Sequence, residues 1–214
     1  MRTRLAALVA SSSLAVLGVP GPAIADPPPV IADPAAVSDG QPRDARISIP
    51  ALGIHRLRVI AYRGRTDDGP GTRIQDRGIA ASPYGPNGGT GPGGLGNYQV
   101  TGHRSTHGAV FRRVPSLRRG DVIRVDAGAW RYVYRVTRTR WVSFRSETSL
   151  RKQRAAVPGK PGAVPRKGYL TLSTCATPED RARGNHWTDR HGNPEHRIDK
   201  IGVLVKRVPR PARP

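Results

Sequence analysis

Gly168-Tyr169-Leu170-Thr171-Leu172-Ser173-Thr174-Cys175 is the stretch on which the fold turns. Read as a β-strand, its side chains alternate. Leu170, Leu172 and Thr174 take one face, and Tyr169, Thr171, Ser173 and Cys175 take the other. An apolar face beside a polar one describes a strand packed on a core from one side only. Cys175 is the single cysteine of the 214-residue chain, so it cannot form an internal disulfide. It is a buried filler, an intermolecular bridge or a reactive thiol. Its place on the polar face favours a thiol looking into a groove.

Other segments carry the same period. Ile47-Ser48-Ile49 alternates and stops at Pro50, and Leu57-Arg58-Val59-Ile60 follows after a turn. Asn97-Tyr98-Gln99-Val100-Thr101 reads as a strand running into Gly102-His103. Arg118-Arg119-Gly120-Asp121 turns the chain into the strand Val122 to Val125. Trp130, Tyr132, Tyr134 and Val136 alternate with Arg131, Val133 and Arg135. The last strand covers Ile198 to Val208, with Ile201, Val203 and Val205 on one face. Between Gly64 and Gly96 the sequence reads mostly as loop, and residues 150–167 read as a surface loop or a short helix. With 25 glycines and 21 prolines, the pattern predicts an all-β domain, a small β-barrel or β-sandwich with functional loops.

The amino terminus reads as an export signal. Arg2 and Arg4 precede an apolar stretch from Leu5 to Val19, and Ala23-Ile24-Ala25 offers a cleavage site before Asp26. An uncleaved anchor is the alternative for residues 1–25. Residues 26–44, with Pro27-Pro28-Pro29 and Pro34, read as a Pro/Ala-rich spacer. The domain then spans 45–208, and 209–214 form a tail. The net charge of +21 fits contact with the anionic cell envelope rather than a specific nucleic acid. A non-catalytic, basic wall-binding module is the alternative reading from another class.

Acyl transfer needs a nucleophile, a proton shuttle and a group to hold the oxyanion. Cys175 can supply the thiolate, and His103, in Thr101-Gly102-His103-Arg104-Ser105-Thr106-His107, is the candidate shuttle. A third, cationic group cannot be chosen by charge alone in so basic a chain. His103, His107 and Cys175 could instead hold zinc with His186, His191 or His196. No CxxC or HExxH pattern accompanies them, so neither a metal nor another cofactor is expected.

Thr101-Gly102-His103-Arg104, Leu170-Thr171-Leu172-Ser173-Thr174-Cys175 and a late arginine opening a final strand resemble the sortases. Gly91-Pro92-Gly93-Gly94-Leu95-Gly96-Asn97, Gly108-Ala109-Val110-Phe111 and Leu117-Arg118-Arg119-Gly120-Asp121 narrow the resemblance to class E, over roughly residues 46–207. It implies an eight-stranded sortase-type β-barrel with short helices and long loops. It also implies a cysteine transpeptidase that cleaves the Thr–Gly bond of Leu-Ala-x-Thr-Gly-like sorting signals through a thioester. The partners implied are secreted proteins with C-terminal sorting signals and the amine of a peptidoglycan precursor such as lipid II. In this frame Cys175 is the nucleophile, His103 the proton donor and acceptor, and Arg197 the positioning and oxyanion group, ahead of Arg190 and Lys200. His107, Thr174 and Trp187 are candidate groove residues. Two departures stand out: Arg197 follows Cys175 by 22 residues, a long connection for the family, and His107 stands where many class E relatives carry tyrosine.

Overall fold

The computed structural model describes residues 36–210, so the export segment, the first part of the spacer and the end of the tail lie outside the described residues. Eight strands close into one barrel. They are β1 (Ala45–Ile49), β2 (Ile54–Arg63), β3 (Ala80–Tyr84), β4 (Gly96–Thr101), β5 (Val122–Ala127), β6 (Trp130–Ser143), β7 (Gly168–Cys175) and β8 (His196–Pro209). Around the barrel they run β1-β2-β3-β4-β7-β8-β6-β5. The pairs β2–β3 and β4–β7 are parallel, and the rest are antiparallel. Closure leaves no unpaired sheet edge in the barrel wall.

The inward residues make one apolar core. Ile47, Ile49, Tyr98, Val100, Ile123, Val125, Tyr132, Tyr134, Leu170, Leu172 and Leu204 are all buried in it. The aromatic alternation of β6 is therefore an inward face, and Trp130 at its start is exposed. The Tyr134 hydroxyl is satisfied by accepting from the Gly93 amide at 2.7 Å.

Topology fixes where the chemistry sits. Because β4 and β7 are parallel, with Thr101 opposite Ser173, His103 and Cys175 emerge at the same rim. Strand β8 runs antiparallel to β7 and starts at that rim, with Arg197 directly opposite Cys175.

Three short helices decorate the barrel: α1 (Gly69–Gln75), α2 (Glu147–Arg154) and α3 (Thr177–Ala182). The segment 64–96, expected to be mostly loop, holds both α1 and β3. Asp68 caps α1 by accepting from the Gly71 amide at 2.8 Å, and Pro70 sits in the first turn, where its missing N–H costs nothing. Residues Ala80-Ala81-Ser82 of β3 are buried and too small to show an apolar stripe. The structure places only part of the 150–167 segment in α2, which begins earlier, at Glu147.

Within the described residues, the spacer is fastened to the barrel. Ala36 is buried in the core, Ser38 donates its amide to the Gly93 carbonyl at 2.8 Å, and Gly91 donates to the Gly40 carbonyl at 2.7 Å. Gly91 permits this approach, since a Cβ there would collide with the Gln41 carbonyl. No helix among the described residues is long and apolar enough to cross a membrane.

Candidate active site

Cys175 ends β7 on the outward face, half-buried, and shares a cavity of about 410 Å³ with His103, Thr72, Asp76, His107 and Asn193. A narrower cleft beside it is lined by Cys175, His103 and Arg197 together. The structure thus brings the three expected side chains to one rim, from β7, the end of β4 and the start of β8. The His103 turn is held tightly. Gly102 donates to the Ser173 carbonyl at 3.3 Å, and a Cβ on Gly102 would press into the Phe111 ring.

Burial pushes the Cys175 thiol up, away from ionisation. The neighbouring charges of Arg197 and Arg104 pull it down, and Asp67 opposes them. The balance leaves a predominantly protonated thiol at neutral pH. Arg104 also braces the strand end: its Nη1 donates to the Cys175 carbonyl at 3.1 Å, and the guanidinium forms a two-pronged pair with Glu179.

Arg197 is almost completely buried, and two of its three guanidinium nitrogens are hydrogen-bonded. Nε donates to Asp67 Oδ1 at 3.0 Å, and Nη1 donates to the Pro194 carbonyl at 2.7 Å. The guanidinium carbon stands 5.0 Å from the Phe144 ring centre. Only Nη2 has no partner. Burial works against the charge, but Asp67, Cys175 and Asp189 together outweigh it and hold the guanidinium protonated. Asp67 adopts a left-handed backbone (φ 61°), which a non-glycine residue rarely takes without a structural reason.

His103 is oriented by a second carboxylate. Its Nε2 lies 2.7 Å from Asp76 Oδ1, and His107 stacks over it with ring centroids 5.1 Å apart. With Asp76 ionised, Nε2 carries the proton and Nδ1 is the nitrogen left to exchange one. Neither Asp67 nor Asp76 figured among the residues expected from sequence. Both flank the missed helix: Asp67 immediately precedes its N-cap and Asp76 is its C-cap. The Thr66-Asp67-Asp68-Gly69-Pro70-Gly71 run holds a helix-start signal, an acidic cap followed by proline, that could have revealed it.

The remaining expectations separate. Thr174 is buried and donates its hydroxyl to the Gly102 carbonyl at 2.8 Å, and it lines the narrow cleft together with Cys175, His103 and Arg197. Trp187 lies half-buried beside Arg145, 5.5 Å from ring centre to guanidinium, and does not line the Cys175 cavity. Arg190 is exposed and bonded to its neighbour His191. Lys200 pairs with Leu172 on the opposite face, where Nζ donates to the Leu117 carbonyl at 2.7 Å and to Thr139 at 2.8 Å. The long 176–195 connection is ordered by its own acids. Asp180 bonds the His196 ring at 2.7 Å, and Asp189 accepts from the His191 and Asn193 amides. Its His191, Gly192, Asn193 and Pro194 form one wall of the cavity.

A sortase-domain family model matches residues 47–190, which takes in His103 and Cys175 and stops short of Arg197. Sortase SrtE1 of Streptomyces coelicolor is 37% identical over 84 residues, covering 39% of this chain and 23% of that relative's length. Among solved structures, the SrtA sortase of Actinomyces oris superposes with a TM-score of 0.60 at 23% identity, covering 83% of this chain and 93% of the other. Sortase E1 of Streptomyces coelicolor, solved with a tripeptide in its active site, gives 0.57 at 24% identity, covering 82% and 94%. At these identities the structures establish the shared barrel.

Proposed function

The chain belongs to the sortase family, and on that premise we propose that it is an exported, class E-type cysteine transpeptidase acting on Leu-Ala-x-Thr-Gly-like sorting signals. The observation that carries this reading is the pairing of Cys175 with Arg197 across β7–β8, at the rim where β4 delivers His103.

The Cys175 sulfur attacks the threonine carbonyl carbon, and the carbonyl oxygen takes up negative charge. The unpartnered Nη2 of Arg197 is the donor available to that oxygen. Collapse breaks the Thr–Gly bond and leaves a thioester. The departing glycine amine takes a proton from His103 Nδ1, while the contact of Nε2 with Asp76 holds the ring in orientation. The amine of a peptidoglycan precursor such as lipid II then enters, gives its proton back to His103 and displaces sulfur. Because burial keeps the thiol protonated, the reactive fraction is a minority thiolate–imidazolium pair. His107 and the 191–194 wall border the path of the incoming peptide. Action at the outer membrane face or cell wall follows from the export signal and the basic surface.

The test is incubation with a Leu-Ala-x-Thr-Gly peptide and an amine, read by mass spectrometry. A thioester on Cys175 and a ligated product are expected. A folded sample yielding neither would remove the reading.

A further inference from the structure

Three ligand-type side chains meet at the mouth of the Cys175 cavity. One ligand atom from each of Asp76, His103 and His107 lies within 4.8 Å of the other two. The individual gaps from the carboxylate oxygen are 2.7 Å to His103 and 3.6 Å to His107. Around a tetrahedral ion with bonds of about 2.0–2.2 Å, ligand atoms stand about 3.3 Å apart. The three atoms are thus within small side-chain rotations of such a shell, and two of them, on Asp76 and His107, are on exposed side chains free to make them.

We propose that Asp76, His103 and His107 form a site for a divalent transition metal of the zinc class, and that occupancy shuts off acyl transfer. Two imidazoles and one carboxylate suit zinc, cobalt, nickel or copper, whereas calcium and magnesium favour all-oxygen shells. This donor set differs from the thiol-containing one that is weighed from the sequence and set aside there, since no metal is expected. Its carboxylate comes from the C-cap of α1, and Cys175 is not a member.

The local backbone is shaped for the arrangement. His107 sits in the left-handed region (φ 46°), and its ring lies tilted 31° against that of His103. Three protein ligands leave at least one position open to solvent in the cavity, so the ion is exchangeable rather than a permanent structural part. The ion displaces the proton from His103 Nε2. A neutral ring must move its proton from Nε2 to Nδ1, whereas a charged ring releases the Nε2 proton to solvent and keeps the one on Nδ1. In either case Nδ1 can no longer accept a proton from an incoming amine.

Metal binding itself does not depend on the proposed reaction; only the inhibitory consequence does. The experiment is calorimetric titration of the purified, metal-free chain with Zn²⁺ at neutral pH, with Co²⁺ absorption as a spectroscopic reporter of nitrogen and oxygen coordination. One site per chain is expected. Asp76→Ala and His107→Ala should each weaken it by about 100-fold or more, since even residues that merely support a ligand are worth about 10- to 100-fold. Cys175→Ala should leave the isotherm unchanged. Circular dichroism checks that each variant folds. In the wild type, peptide transfer should fall in proportion to zinc occupancy and return with a chelator. No stoichiometric binding, binding that survives both ligand variants, or binding lost in Cys175→Ala would each overturn the site. An enzyme without transfer activity but with the expected isotherm would count against the reaction and leave the metal site standing.

Discussion

The two faces of the β7–β8 pair share one backbone and obey opposite rules. Inward, Leu170 and Leu172 are sealed in the barrel core beside Leu204. Outward, Cys175 faces Arg197 and Ser173 faces Asp199, in register. Ser173, Arg197 and Asp199 of that outer row are also buried, with Gln153 of α2 donating to both Ser173 at 3.2 Å and Asp199 at 3.1 Å, while Cys175 is left half-buried at the rim. One face gains stability by excluding water from hydrocarbon, at about 25 cal/mol per Å². The other pays desolvation to keep charges and a thiol close together, which is what reactivity requires and stability does not.

The sharpest break in that comparison is Cys175→Ala, which should abolish thioester formation and transfer while leaving the melting temperature within a few degrees, measured by mass spectrometry and calorimetry. Its inward counterpart is Leu172→Ala. A cavity in the core should cost about 2–5 kcal/mol of unfolding free energy in denaturant titration, with the pH profile of Cys175 alkylation unchanged. Arg197→Lys should reduce transfer by about 100- to 1,000-fold, because an ammonium keeps the charge but loses the fork that holds Asp67, the Pro194 carbonyl and the oxyanion donor.

Asp199 tests the outer face from the side of stability. Burial pushes its carboxyl up from 3.8 to about 6. Between those values the native state holds a proton that the unfolded chain releases. Stability therefore falls as pH rises through the window, and the full penalty applies above it. Asp199→Asn should stabilise the protein near neutral pH by about 1–3 kcal/mol and have no effect below about pH 4, read by denaturant titration across pH. The smallest effect belongs to Asp67→Asn. Removing a charge that raises the thiol should move the alkylation midpoint of Cys175 downward. An upward movement would mean that Asp67 acts mainly by holding Arg197 in place.

The strand pattern was legible wherever one face was apolar and the other was not. Ile47-Ser48-Ile49, the aromatic row of β6 and the Leu170–Leu172 alternation each announced an inward face, and their faces agree with the barrel. β3 gave no such signal, because Ala80, Ala81 and Ser82 are buried by neighbours rather than by their own hydrophobicity. α1 was hidden by Gly69, Pro70 and Gly71, which weigh against a helix by propensity and are tolerated because they fall in its first turn. Losing α1 meant losing Asp67 and Asp76, the two carboxylates that set the arginine and the histidine.

What the residues alone determined was local: which side chains alternate, which cysteine is unpaired, and which histidine follows a strand end, whereas Arg197 was singled out among many arginines only by the resemblance to sortases. Periodicity and chemical type are properties of short stretches, so they survive without a fold. Which of those groups meet was a matter for the barrel. A parallel β4–β7 pair and an antiparallel β7–β8 pair carry three distant segments to one rim, and a capped helix brings its acids over them. Distances between segments far apart in the chain follow from strand pairing, and strand pairing is set by the packing of the whole core.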